Sequence, residues 1–167
     1  MCRGYKDDNV RKKKEFAVKA LLDVAGIKYS QHDRRVDEGC SRYRPDFVID
    51  CATFMLVVEC DENQHASYAP ECEKGRMLQL FQDFGMPVQF IRYNPDKYTD
   101  SKGKRIVMQG SRETLLIDTV RQVMGWETSK FQVGAIYICY DGFDGVPKNI
   151  DMDYDGYMQS MGKLVIP

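Results

Sequence analysis

Two β-rich runs lie close together in the chain, Phe47-Val48-Ile49 and Phe54-Met55-Leu56-Val57-Val58, and acids bound them: Asp46 before the first, Glu59 and Asp61 after the second. Only residues 50–53 separate the runs, so they read as a hairpin of strands over 46–50 and 54–61. Pro45 is tolerable just before the first strand. A strand sends alternate side chains to opposite faces, so Glu59 and Asp61 share a face while Val58 and Cys60 take the other. Acids at the end of an apolar strand are costly to bury unless something compensates them, and a divalent cation does so. Asp46, on the neighbouring strand, is placed to share such an ion with Glu59, so that Asp46, Glu59 and Asp61 are expected around one magnesium pocket. Two carboxylates and a backbone carbonyl such as that of Cys60 suit Mg²⁺, which keeps waters and binds phosphate oxygens.

The rest of the chain supplies a framework for this hairpin. Val18, Leu21, Leu22 and Ala25 follow a helical period over 15–25, with Asp7, Asp8 and Asn9 as cap candidates and Gly26 as a stop. Residues 30–45 read as a loop, with a short strand near 28–31. Residues 62–70 are polar loop. A helix over 71–84 turns Met77, Leu80, Phe81 and Phe84 inward and ends at Gly85. A strand over 88–93 stops at Asn94-Pro95-Asp96. Residues 96–110 read as a Lys-rich loop, and Ser111 caps a helix to about 124 with Leu116, Val120 and Val123 inward. A late strand covers 133–140, and 164–166 offers another. The order of elements predicts an α/β fold around one mixed central sheet flanked by helices.

With 167 residues, 43% hydrophobic and 29% charged, the chain fits a single domain over 1–167 that needs no disulfide or metal to fold. Its core is expected over about 10–125, with 126–167 as a C-terminal extension. No apolar run is long enough for a membrane span, and Met1-Cys2-Arg3-Gly4 lacks the apolar core of a secretory signal. An intracellular setting, cytoplasm or nucleus, with mostly reduced cysteines is the expectation. The net charge of −1 divides unevenly: residues 1–112 carry 20 Lys/Arg against 17 Asp/Glu, and 113–167 carry 4 against 8. That near-neutral total argues against a nonspecific DNA-coating protein, while local basic clusters can hold phosphate or simply be solvated surface.

His65 follows Asp61 by four positions, on the loop above the acid face. A lone histidine is more often core or surface than a catalyst; the combination Pro45-Asp46, Glu59-x-Asp61 and His65 is what raises it to a candidate. Asp50, at the hairpin turn, reads as solvated. Glu15 leans toward the buried face of its helix, either as part of the site or as a first-turn acid favoured by the helix dipole.

This constellation resembles the PD-(D/E)XK nuclease superfamily, and most closely the branch of very-short-patch repair endonucleases and related homing endonucleases described by an EDxHD motif. The flanks are similar to nuclease-like proteins of large DNA viruses: Gly39-Cys40-Ser41, Arg44-Pro45-Asp46, Asp61-Glu62-Asn63-Gln64-His65, Tyr68, Glu71-Cys72-Glu73, Arg76-Met77 and Phe90-Ile91-Arg92-Tyr93-Asn94-Pro95-Asp96. The likeness spans roughly residues 12 to 98. It implies a restriction-endonuclease-like αβββαβ core, a viral protein of an infected cell as one setting, and Mg²⁺-dependent hydrolysis of DNA, with Mn²⁺ able to substitute. Asp46 and Glu59 match the metal ligands, aided by the Cys60 carbonyl. Asp61 stands where the superfamily's name-giving Lys usually stands, so Lys-type water activation is not implied, and His65 is the natural substitute as base or as donor to the phosphate. Glu15 corresponds to a first-helix acid, and Arg76 and Gln79 to polar residues near the phosphate.

On this reading Glu15, Asp46, Glu59, Asp61, His65 and Arg76 form the catalytic set, and Arg34, Arg35, Arg42, Arg44, Gln79, Lys102, Lys104 and Arg105 position the DNA backbone without reading sequence. Arg76 also fits a salt bridge to Glu73 or Asp83, and Gln79 plain helix surface. A catalytically inactive nuclease-fold module that binds DNA or a protein, and an RNA-directed nuclease, are the alternatives. Enzymes that cut both strands often act as a homodimer, although no explicit dimerisation signal is present. Cys40, Cys60 and Cys72 with His32 admit a structural Zn²⁺, against which stands their non-standard spacing. Residues 151–156 open like a calcium loop but place Gly162 at its twelfth position, so they read as an acidic turn. Trp126, Tyr137, Tyr140, Tyr154 and Tyr157 suit either base stacking or core packing.

Overall fold

The computed structural model describes residues 8–37, 39–107, 110–153 and 156, with side chains from residue 13 onward. Among the described residues, eight strands and three α-helices follow in the order α1 (Asp8–Val24), β1 (Gln31–His32), β2 (Phe47–Asp50), β3 (Met55–Cys60), α2 (Pro70–Phe84), β4 (Val88–Tyr93), β5 (Tyr98–Thr99), β6 (Arg105–Ile106), α3 (Gly110–Met124), β7 (Val133–Ile138) and β8 (Asn149–Asp151), with a short 3-10 turn over Glu62–His65 after β3. Six strands form one mixed sheet in the order β1-β2-β3-β4-β7-β8. The β3–β4 and β4–β7 pairs are parallel; the others are antiparallel. The α/β class and the mixed sheet flanked by helices are thus as expected.

Strand alternation sorts the core into two layers. Phe47, Ile49, Leu56, Val58, Ile91, Ile136 and Ile138 point to the face covered by α1 (Val18, Leu22) and α3 (Leu116, Val120, Val123). Val48, Val57, Phe90, Val133 and Ala135 point to the face covered by α2 (Met77, Leu78, Leu80). The hairpin between β2 and β3 turns at Ala52, with φ of 66°, and the exposed Asp50 carboxylate accepts the Ala52 N–H at 2.7 Å. Gly85 closes α2 in the left-handed region, its N–H bonded to the Phe81 carbonyl.

Three differences from the expectation have local causes. α1 starts about two turns earlier, at Asp8, because the Lys-rich segment 11–14 has no apolar period by which the sequence would show it. The 96–110 stretch contains the two-stranded β5–β6 hairpin, tied by the Asp100 carboxylate, which accepts the N–H groups of Lys102 and Lys104. β7 is an interior strand and β8 pairs beside it, so the core runs past residue 125. The strand expected at 164–166 and Tyr154 and Tyr157 lie outside the described residues, as does part of the acidic turn. No helix among the described residues is long and apolar enough to cross a membrane.

Gly134 in β7 permits a close approach. A Cβ there would sit 2.3 Å from Gln89 Oε1 and 2.7 Å from Asn149 Oδ1, both from flanking strands. Gln89 is fully buried and its amide is anchored by the bond from Nε2 to the Phe90 carbonyl at 3.1 Å, so making space breaks that bond or shifts the strand. Gly134→Ala is therefore expected to cost about 1–3 kcal/mol by overpacking, read as a lower urea midpoint with unchanged slope.

Candidate active site

The C-terminal ends of the parallel strands β3, β4 and β7 share one end of the sheet, where open α/β sheets place their ligand sites. Asp46 enters the same end, because β2 runs antiparallel to β3. The register pairs Phe47 with Val58, which sets Pro45 opposite Cys60. The Cys60 N–H donates to Asp46 Oδ2 at 2.7 Å. A strand residue's N–H and C=O point to the same side, so the Cys60 carbonyl also faces Asp46, where Pro45 has no N–H to offer it. The dipeptide Pro45-Asp46 thus leaves a backbone acceptor beside a carboxylate.

Glu59 lies on the α2 face, 2% exposed. Arg76 of α2 reaches it, with Nη2 3.1 Å from Oε1 and 3.2 Å from Oε2, and the same Nη2 donates to the Arg44 carbonyl at 3.2 Å. Burial pushes both Asp46 and Glu59 up to about 7; the Cys60 N–H opposes this at Asp46, where the Glu15 charge adds to it, and the Arg76 charge opposes it at Glu59, where the Asp46 charge adds to it. Two acids that resist ionisation in one buried corner, with the Cys60 carbonyl opposite a proline that has no N–H, fit a small hard cation. No three His, Cys, Asp or Glu side chains among the described residues gather into a metal-holding group. The donor set is two carboxylates and a carbonyl.

Asp61 departs from the expectation that it shares an ion with Asp46 and Glu59. Its side chain is on the same face as Glu59, as alternation requires, but it is fully buried and committed elsewhere. Arg92 Nε and the Tyr140 hydroxyl both donate to Oδ2, and Oδ1 faces His65 Nε2 at 3.4 Å. Burial raises the Asp61 carboxyl, yet Arg92 and His65 outweigh it and hold it below the ordinary value. Asp61 thus acts through its neighbours.

His65 sits at the rim with its side chain 9% exposed, its Nδ1 3.2 Å from Glu73 Oε2. Glu73 also binds Arg92, and these partners hold it down at about 2 against the upward push of burial. The turn carrying His65 is strained: Asn63, Gln64 and His65 have φ of 50°, 59° and 50°. Left-handed backbone costs on the order of 1–2 kcal/mol per non-Gly residue and persists only where the surroundings enforce it. Here Asp96 Oδ2 accepts the Asn63 N–H at 2.9 Å, and the Gln64 side chain accepts the Asp141 N–H at 2.7 Å.

The remaining candidates are distributed as follows. Glu15 is 2.7 Å from His32 Nε2 and lies close enough to Asp46 to raise it. Arg44 is tied to Asp33, its Nε 2.9 Å from the Asp33 carbonyl, and Arg34 pairs with Asp37. Arg35 and Arg42 are exposed, as are Lys102, Lys104 and Arg105 around the β5–β6 hairpin. Arg44, whose carbonyl meets Arg76, and that hairpin, which follows β4, lie toward the Asp46 end of the sheet, whereas Arg42 follows Ser41, which is held to Asp83 near the C-terminus of α2. Gln79 lines a separate cavity of about 300 Å³ with Gly39, Cys40, Ser41, Gln82 and Asp83. Asp83 serves the Cys40 and Ser41 N–H groups, and Arg76 pairs with neither Glu73 nor Asp83. The zinc set does not assemble: His32 stacks on Phe47, Cys60 packs on the α1–α3 face, and Cys72 is disulfide-bonded on α2, across the sheet. Trp126 packs near Phe54, and Tyr137 lies edge-on to Tyr140.

Arg92, Glu73 and Tyr140 were not among the residues expected in the site. Arg92 had a readable signal, a charge inside the otherwise apolar or neutral strand Val88–Tyr93, buried on every side, which demands an acidic partner. Comparison of the chain with known protein families, curated proteins and solved structures finds no significant match.

Proposed function

We propose that this protein is a metal-dependent endonuclease that hydrolyses phosphodiester bonds in DNA, on a restriction-endonuclease-like version of the α/β fold. The observation that carries this is the juxtaposition of Asp46 and Glu59, the first bonded by the Cys60 N–H, with a Cys60 carbonyl set opposite Pro45, which has no N–H to offer it. These three would hold Mg²⁺ or Mn²⁺. When bound, the ion supplies a polarised phosphate oxygen and a water of lowered pKa. Arg76, already at the Glu59 carboxylate, is placed to offset charge on a phosphate brought there. His65, oriented by Glu73 and Asp61, takes or gives a proton at the rim. Arg44, Lys102, Lys104 and Arg105 offer contacts to the nucleic-acid backbone at that end of the sheet, and Arg42 extends them toward the C-terminus of α2.

A second reading has one observation in its favour: Arg76 already neutralises Glu59, as an idle DNA-binding module would require. Cleavage assays on duplex, mismatched, branched and single-stranded DNA, with RNA counterparts, separate the two. The expected result is Mg²⁺- or Mn²⁺-dependent DNA cutting, lost in EDTA, with His65→Ala slower by about 10²–10⁴-fold. Tight binding without cleavage in every metal would assign the idle module instead.

A further inference from the structure

Tyr140 comes from the C-terminal third of the chain, outside the segment that carries the nuclease resemblance, yet its hydroxyl donates to Asp61 Oδ2. The backbone is bent to bring it there. Cys139, at the end of β7, has φ of 64°, a conformation that a non-Gly residue adopts only when held. The hold is visible: the buried Asn94 side chain donates to the Cys139 carbonyl at 2.8 Å. On the other side of Tyr140, the Asp141 N–H donates to Gln64 Oε1 at 2.7 Å. Gln64 is itself left-handed and precedes His65. Two strained segments, far apart in sequence, are therefore clasped together around Asp61 and His65.

The chain of contacts has one destination. Tyr140 and Arg92 occupy Asp61 Oδ2, which aims Oδ1 at His65 Nε2, 3.4 Å away. Glu73 takes Nδ1 from the other side. The ring is thereby held between two carboxylates, whose own orientations are fixed by Arg92 and Tyr140. Tyr140 is only partly buried as a residue, and its hydroxyl is the part that reaches the fully buried Asp61. Partners that orient a functional side chain without touching the reacting atoms still set its effectiveness.

We propose that Tyr140 is a positioning residue for His65, acting through Asp61, and that the Cys139–Asp141 bend and the Gln64 side chain form the clasp that keeps it in place. This rests on the nuclease reading above for its kinetic consequence, but not for its structural one. Tyr140→Phe removes the hydroxyl and keeps the ring, and Gln64→Ala opens the clasp from the other side. The chain has two histidines, so nitrogen NMR of the rings is simple, and His65→Gln identifies which signals belong to His65. Both Tyr140→Phe and Gln64→Ala are expected to move the His65 ring signals and leave those of His32 in place. In the cleavage assay kcat should fall about 10- to 100-fold with KM for DNA unchanged and thermal midpoint within a few degrees. Unmoved His65 signals in Tyr140→Phe, or a change confined to KM, would overturn the assignment. A wild-type protein that cuts no substrate would overturn the nuclease reading alone; the ring signals decide the positioning independently.

Discussion

Asp46→Asn and Glu59→Gln should each abolish metal-dependent cleavage and, in the absence of metal, make the fold more resistant to alkaline pH than the wild type. The loss of cutting is expected to reach at least about 10³-fold, the scale seen when a group facing the transition-state charge is removed. The stability effect follows from burial. In the unfolded chain these carboxyls titrate at 3.8 and 4.5; in the fold both are pushed up to about 7. Between those values the folded state binds more protons than the unfolded one, so stability falls as pH rises from about 4 through 7. It is highest below the unfolded values, and above 7 the full penalty applies, on the order of a few kcal/mol for the coupled pair. Asp61 and Glu73 are held low instead, so their contribution is lost only in acid, outside a pH 5–8 window. An amide at 46 can still accept the Cys60 N–H but carries no charge to desolvate. Thermal melts in EDTA should show the wild-type midpoint dropping from pH 5 to 8 and a flatter profile for Asp46→Asn. Adding Mg²⁺ at pH 7.5 should raise the wild-type midpoint and leave the variant's unchanged, since only a ligand-competent fold gains from mass action. Equal pH profiles in the two proteins, or equal stabilisation by Mg²⁺, would remove the case for a shared ion.

The part of this site that was legible in the sequence is the part governed by local rules. Strand alternation is a two-residue period, and it put Glu59 and Asp61 on one face and Val58 and Cys60 on the other, as the two core layers show. The hairpin was readable because two apolar runs flank a four-residue turn, and Gly85 and Asn94-Pro95 gave clean stops for α2 and β4. What sequence could not supply is which acid meets which base. Asp61 sits two residues from Glu59 and faces the same way, yet the first falls to Arg92 and the second to Arg76. That choice depends on the parallel register of β3 against β4 and on where α2 lies over them. Tyr140 was weighed only as a stacking or packing residue because its partner is 79 positions away, and nothing local announces the bend at Cys139. The β8 strand was missed for a similar reason: three polar-flanked residues at a sheet edge have no period to read.

Arg92→Met is the substitution expected to cost the fold most. Arg92 is 1% exposed and spends its guanidinium on two carboxylates, Asp61 through Nε and Glu73 through Nη2, with His65 Nδ1 3.1 Å from the same nitrogen. Removing it leaves a fully buried carboxylate facing only a tyrosine hydroxyl and an imidazole. Breaking a buried pair from one side typically costs about 3–5 kcal/mol, far more than the pair contributes over an apolar replacement, because the stranded charge has no solvent to return to. Against a usual domain stability of roughly 5–15 kcal/mol, that is a large share. Arg92→Lys retains the charge but not the fork, so it should serve one acid and lose the other, giving an intermediate loss. The combination Arg92→Met with Asp61→Asn distinguishes a stranded charge from a lost packing contact. If the cost is electrostatic, neutralising Asp61 recovers part of it, and the double variant is more stable than the sum of the single losses predicts. If the two losses simply add in urea unfolding, Arg92 acts by filling volume, and the Asp61–Arg92–Glu73 arrangement that orients His65 has no energetic basis.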